Sequence, residues 1–156
     1  MSANSETVLS PTAPTPLPLA REYAERALPA APGSEDGFAD SAIRAFHDLH
    51  ARLRTVIGSV GCEELFRRGL SRAAARHREL EPVKGERTPE ALIGALRDRG
   101  GAEAAARNAD AVREVMAEQI SLLAQLIGED MVQAIIQAER QERPDRRAGG
   151  EAAADE

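Results

Sequence analysis

The chain has 156 residues, of which 26 are Asp or Glu and 20 are Lys or Arg, so its formal net charge is -6. This excess of negative charge argues against sequence-independent binding to nucleic acid, which depends on Lys and Arg side chains that neutralise phosphates. No stretch approaches the roughly 20 apolar residues that a membrane-spanning helix needs, and the N-terminus lacks the layout of a signal peptide. We therefore expect a cytoplasmic protein that binds neither nucleic acid nor membranes.

The composition favours helices. Alanine and arginine, both strong helix formers, are abundant, whereas aromatic residues make up only 3% of the chain. The length suits one domain, and the single cysteine, Cys62, excludes an internal disulfide. We predict an all-α fold, a four- to five-helix bundle built from two helical hairpins.

The ends of the chain differ in composition from its middle. Four prolines lie among the first 18 residues, and a mixture of charged residues, Gly and Ala follows Pro144. We predict a disordered Pro/Ala-rich tail over 1–37 with a possible short helix at 19–28, a helical bundle over 38–143, and a disordered charged tail over 144–156. That short helix is either a docking segment or a frayed turn.

Within the bundle, the spacing of apolar residues is helical. A first helix begins near Ser41 and stops at Gly58 to Gly61. A second runs from Cys62 to about Leu80 and directs five arginines largely outward: Arg67, Arg68, Arg72, Arg76 and Arg78. Thr88 followed by Pro89 is a typical start for a short third helix. The fourth pattern covers 102–127 and ends at Gly128, and the fifth buries three residues: Val132, Ile135 and Ile136.

The segments around Gly58 and Gly128 are similar to each other. Each consists of an apolar helix, an Ile-Gly pair, acidic residues and a second apolar helix, as LRTVIGSVGCEELFRRGL and LLAQLIGEDMVQAIIQAE show. A glycine in this place ends the first helix, and the acidic residues stabilise the N-terminus of the next. The pattern predicts two helical hairpins, with a duplication as one interpretation.

Histidines provide one candidate site. His47 and His50 are three residues apart on the first helix, a spacing that can bring two imidazoles toward one metal ion, and His77 lies on the apolar face of the second helix. The alternative is that these histidines are satisfied by ordinary hydrogen bonds, since His50 falls within the apolar stripe and His47 at its polar edge.

The segment DLHARLRTVIG resembles the phosphoacceptor helix of histidine kinases. This resemblance implies that His50 is phosphorylated, in a helical hairpin that dimerises into a four-helix bundle. Ala51 stands where that family has the acidic residue that serves as catalytic base. Cys62, at a helix start but followed by two glutamates, is interpreted as a small core residue rather than a reactive thiolate.

No set of residues has the types and spacing of a catalytic, cofactor-binding or metal centre, so we expect a non-enzymatic protein without cofactor or bound metal. A small enzyme that uses groups brought together between subunits stays open as an alternative, with no residues to nominate for it. The wide apolar stripes of the first and fourth helices indicate instead a helical adaptor that binds a protein partner or a second copy of itself. The candidate interface residues are Leu53, Ile57, Leu123 and Ile127. The alternative hypothesis is a signalling or sensing domain that works through His50 or through a metal site at His47, His50 and His77.

Overall fold

The computed structural model describes residues 15–28, 35–99 and 104–138. Throughout these ranges the regular structure is helical, without a strand, so the predicted all-α bundle is confirmed. The tail predicted over 144–156 and most of the tail predicted over 1–37 lie outside the described residues.

The helices follow one another with short connections. The helical segment Glu35–Ala74 is interrupted at Gly58, which divides it into two helices. In chain order the elements are α1 (Pro18–Ala27), α2 (residues 35–57), α3 (residues 59–74), a 3-10 helix (Arg78–Val83), α4 (Pro89–Arg99), α5 (Ala105–Ile127) and α6 (residues 129–138).

Helix α3 begins at residue 59, directly after Gly58, rather than at Cys62. Two further helix boundaries differ from the prediction, and tertiary packing explains both. Helix α2 begins at Glu35 rather than near Ser41, because Phe38 and Ala39 pack against the core. Helix α3 ends at Ala74, well before Leu80, yet Leu80 is still fully buried because the 3-10 helix carries it back into the core.

The predicted start of α4 is confirmed. The backbone amide of Ala91 donates a hydrogen bond to the Thr88 hydroxyl at 3.1 Å, and Pro89 is the first residue of the helix. The Thr88 side chain therefore satisfies one of the amides that a helix N-terminus leaves without an internal partner.

The predicted reversals at Gly58 and Gly128 are present as well. The two glycines have φ values of 75° and 95°, in the left-handed region that favours glycine. Beyond Gly58 the chain folds back, so the ring centroids of Phe46 in α2 and Phe66 in α3 lie 5.9 Å apart. The duplication of this hairpin remains a hypothesis; the two glycines have similar backbone conformations.

Helix α5 lies at the centre of the bundle. Residues 114–121 are all buried, and eight consecutive residues cover every side of a helix with about 3.6 residues per turn. Helices α1, α2, α3 and α4 pack around it.

The short N-terminal helix is docked on this centre. Ala20, Tyr23 and Leu28 of the α1 segment are buried, and the backbone amide of Leu17 donates a hydrogen bond to the Ser121 hydroxyl at 2.9 Å. At the other end of α1, Arg113 Nε donates to the Leu28 carbonyl at 2.5 Å. Helix α1 therefore runs antiparallel to α5 and is part of the bundle.

Candidate functional site

Both glycine turns lie at the same end of the bundle. Arg72 of α3 contacts Glu118 of α5, and Arg76, two residues beyond the end of α3, contacts Glu114, so the two helices are antiparallel. The start of α3, next to Gly58, lies 13 residues before Arg72, and the end of α5 lies 9 residues after Glu118. The register of α3 and α5 thus places both turns at the same end of the bundle.

Large apolar side chains are exposed around these turns. Val56 and Val60 flank Gly58 with 46% and 81% of their surface exposed, and Leu126 and Met131 flank the second turn with 69% and 54% exposed. Within the described residues these four are the exposed large hydrophobic side chains. We call this surface, formed by Val56, Val60, Leu126 and Met131, the apolar end.

Charged residues border the apolar end. Arg54 lies one helical turn before the first glycine, and Glu129 and Asp130 directly follow the second. All three are exposed, and none forms an ion pair with another residue of the described ranges. The surface therefore carries an unpaired positive charge beside one turn and two unpaired negative charges beside the other.

The predicted interface residues fall into two groups. Leu53 and Leu123 are only 1% exposed and belong to the core of the chain itself. Ile57 and Ile127 precede the two glycines and are partly buried against the core. The apolar surface that a partner can reach is therefore shifted from the predicted stripes to the turns.

His50 lies inside the bundle. Its ring makes edge contacts with Phe46 and Phe66, with centroid distances of 6.0 Å, and its Nε2 is 2.9 Å from Nε2 of Gln119. Burial lowers the pKa of His50 below its ordinary value of 6.5, although the hydrogen bond to Gln119 acts in the opposite direction. A buried, neutral imidazole with these neighbours is not accessible to a phosphate donor in this conformation.

The other two histidines have different surroundings. His47 is exposed and pairs through Nε2 with Glu90 at the start of α4. His77 is half-buried beside the C-terminal end of α3. Within the described part of the chain, no group of three or more His, Cys, Asp or Glu side chains is arranged to hold a metal ion.

Cys62 is also a core residue. It is 4% exposed, and its thiol donates a weak hydrogen bond to the His50 carbonyl at 3.7 Å. Burial raises the pKa of the Cys62 thiol, with a smaller opposing effect from Arg54. The thiol form is therefore favoured over the reactive thiolate.

The most elaborate polar arrangement is one that sequence reasoning missed. Helix α5 buries the side chains of Glu114, Glu118, Gln119 and Ser121, and together they bind three parts of the surrounding bundle. Glu114 and Ser121 face α1, Gln119 binds His50 in α2, and Glu118 binds α3.

Arg72 of α3 and Arg76, just beyond the end of that helix, complete this network. Arg76 Nη1 donates hydrogen bonds of 2.8 Å to both Glu114 and Glu118, and Arg72 lies 3.7 Å from the second oxygen of Glu118. Their side chains are only about a quarter exposed, so the prediction that they face outward is wrong. Arg67 and Arg68 do lie on the surface, where both pair with Glu64.

A signal for this network exists in the sequence. Arg72 and Arg76 are four residues apart, as are Glu114 and Glu118, so each pair occupies one face of its helix. When two such helices pack in antiparallel orientation, each arginine of one pair can contact a glutamate of the other pair. The pattern alone does not tell which glutamates and arginines will meet.

Comparisons with known proteins provide no relative for this bundle. No family model, curated protein or solved structure matches the chain. Among the described helices, none combines the length and the apolar character that crossing a bilayer requires.

Proposed function

We propose that this chain is a non-enzymatic helical interaction module that self-associates in the cytoplasm through the apolar end of its bundle. The observation that carries the proposal is the exposure of Val56, Val60, Leu126 and Met131 around the two adjacent turns. Burial of such side chains against a partner removes apolar surface from water, which is the main driving force of protein association.

The charges at the border favour a second copy of the chain as the partner. In a dimer with two-fold symmetry, the same surface of each copy meets the other in an inverted orientation. When the two-fold axis passes between the two turns and is perpendicular to the line that joins them, the Gly58 turn of one copy faces the Gly128 turn of the other. This arrangement puts the unpaired Arg54 of each copy next to the unpaired Glu129 and Asp130 of the other. Complementary charges at the rim of an apolar contact fix its register.

The buried network supports the same function in a different way. Helix α5 is connected by polar contacts to α1, α2 and α3, so the helices that carry the two turns are held in a defined relative position. A binding surface built on rigid elements loses little conformational entropy when it associates.

Sedimentation velocity over a range of protein concentrations tests the proposal. We expect a concentration-dependent dimer for the full chain and a monomer for the double variant Val60→Glu and Leu126→Glu. Both positions are exposed, so the variant retains its helical circular-dichroism spectrum. Ala106→Glu, an exposed change near the start of α5 and away from the turns, serves as the matched control and leaves the dimer intact.

Charge reversal distinguishes this dimer from unspecific apolar contact. Arg54→Glu weakens association, as does the double change Glu129→Arg and Asp130→Arg, and the three changes together restore it. A full chain that stays monomeric over the whole concentration range overturns self-association, whatever other protein it retains. If the triple variant associates more weakly than both the Arg54→Glu variant and the double variant Glu129→Arg and Asp130→Arg, the two-fold arrangement is overturned.

A further inference from the structure

A cleft opens toward the opposite end of the bundle from the glycine turns. It has a volume of about 320 Å³ and lies between α1, the C-terminal end of α3 and the first half of α5. Ala24 and Ala117 form its apolar part, and their small side chains leave the space open. The volume falls at the lower end of the roughly 300–1,000 Å³ that is typical of small-molecule sites.

Charges of both signs line this cleft. The Arg21 guanidinium lies 3.4 Å from Glu114, which also accepts a hydrogen bond from Arg76, and Arg113 pairs with Asp110 at 2.8 Å. Because positive and negative side chains alternate, a ligand of a single charge would meet repulsion as well as attraction. The pattern suits a ligand that carries both.

Two polar side chains of the cleft have no partner in the described part of the protein. Glu25 lies one helical turn after Arg21, a spacing at which the two often pair, but Arg21 is directed to Glu114 instead. Among the described residues, the Glu25 carboxylate has no ion-pair partner and the imidazole of His77 has no hydrogen-bond partner.

Arg21 also has hydrogen-bonding capacity to spare. Its contact with Glu114 uses Nη1 alone, whereas a guanidinium carries five N–H donors and can bind a carboxylate through two of them at once. The Arg21 side chain is 45% exposed, so these donors are accessible from the cleft. The cleft thus offers donors at Arg21 and His77 and an acceptor at Glu25.

We propose that the cleft binds a small zwitterion that carries an ammonium and a carboxylate group, the charge pattern of a free amino acid. The ammonium of the ligand donates to Glu25, and its carboxylate accepts from Arg21 and His77. The remaining ion pairs hold α1, α3 and α5 in place around it. This site is separate from the apolar end and does not depend on self-association.

Amide NMR titrations of the full chain with L-alanine, L-glutamate and L-arginine test the proposal. We expect at least one of them to shift the amide signals of Ala24 and Ala117, and to do so at lower concentrations than acetate or methylamine, each of which supplies only one of the two charges. Glu25→Gln and Arg21→Met each weaken binding by a factor on the order of ten or more, because each removes a charge-assisted hydrogen bond.

Matched controls come from the same helix. Glu22→Gln and Arg26→Met change exposed residues of α1 that do not line the cleft, and they leave the affinity unchanged. Glu25→Gln preserves shape and breaks no ion pair, so its loss of binding does not reflect unfolding. The proposal is overturned if none of the three amino acids shifts these signals, or if Glu25→Gln binds as tightly as the unaltered chain.

Discussion

Glu118 at the centre of α5 and Arg76 near the end of α3 are joined by a hydrogen bond of 2.8 Å, and the Glu118 side chain is fully buried. A carboxylate in this position loses its hydration, and the arginine only partly replaces it. The contact holds α3 against the central helix, and it makes the stability of the bundle depend on the charge of Glu118.

The burial of Glu118 beside Arg76 predicts that the free energy of unfolding depends on pH. Burial raises the pKa of Glu118 above its ordinary value of 4.5, because it outweighs the attraction of Arg76, Arg72 and Arg21 and adds to the repulsion of Glu114. A raised pKa means that the folded chain holds this proton more tightly than the unfolded chain does. The contribution of Glu118 to stability is therefore greatest below pH 4.5 and falls as the pH rises through the raised pKa.

Urea denaturation of the unaltered chain and of Glu118→Gln between about pH 4.5 and pH 7 measures this effect. Glutamine does not titrate, so we expect the stability of the unaltered chain to fall relative to the variant as the pH rises. Glu63→Gln, which changes an exposed carboxylate of α3, shows no such trend. A constant or rising difference for Glu118→Gln would contradict the interpretation.

Helix α3 approaches α5 closely at Gly69. A Cβ atom added there would lie 2.8 Å from Cγ of Gln119 and 3.3 Å from the carbonyl oxygen of Val115. We expect Gly69→Ala to lower the free energy of unfolding by about 1–3 kcal/mol, since the two helices must move apart. Gly94→Ala in α4 is the control: nothing lies within 4 Å of its new Cβ, so the change raises stability by about 0.5–1 kcal/mol.

The two turns depend on their glycines for a different reason. Gly58 and Gly128 have ample space for a Cβ, but their positive φ values disfavour any other residue. Gly58→Ala and Gly128→Ala should each lower the free energy of unfolding by about 1–2 kcal/mol. Gly85→Ala, at an open position without a positive φ, should change it by less than about 0.5 kcal/mol in chemical denaturation.

The lowered pKa of His50 predicts a second pH dependence of the free energy of unfolding, with the opposite sign to that of Glu118. Its lowered pKa means that the unfolded chain takes up a proton at this residue before the folded chain does. Stability is therefore lost as the pH falls below 6.5. We expect the loss between about pH 7.5 and pH 5.5 to be smaller in His50→Gln, and an equal loss in both proteins would contradict the assignment.

Local features of the sequence were enough to predict much of the fold. Thr88 and Pro89 mark the start of α4, and Gly58 and Gly128 mark the reversals, because capping and left-handed backbone conformations depend on a few adjacent residues. The helical periodicity likewise predicted that Val132 is buried. The start of α2 was placed too late, since residues before Ser41 join the helix through contacts with distant parts of the chain.

The candidate sites could not be predicted in the same way. Leu126 belongs to an apolar stripe of α5 and is nevertheless 69% exposed, whereas Glu118 of the same helix is fully buried. Which of the two lies inside depends on whether other helices surround α5, and periodicity contains no information on that. The cleft beside Arg21 depends in addition on the docking of α1, which the sequence left open.

Most helix positions and both chain reversals follow from the local sequence, because hydrogen bonding, capping and glycine conformation act between neighbouring residues. Long-range packing, in contrast, places both turns at one end of the bundle, puts α5 at its centre, and brings Glu118 against Arg76 rather than water. These outcomes depend on the register between helices, and the register is set by packing and by ion pairs between residues far apart in the chain.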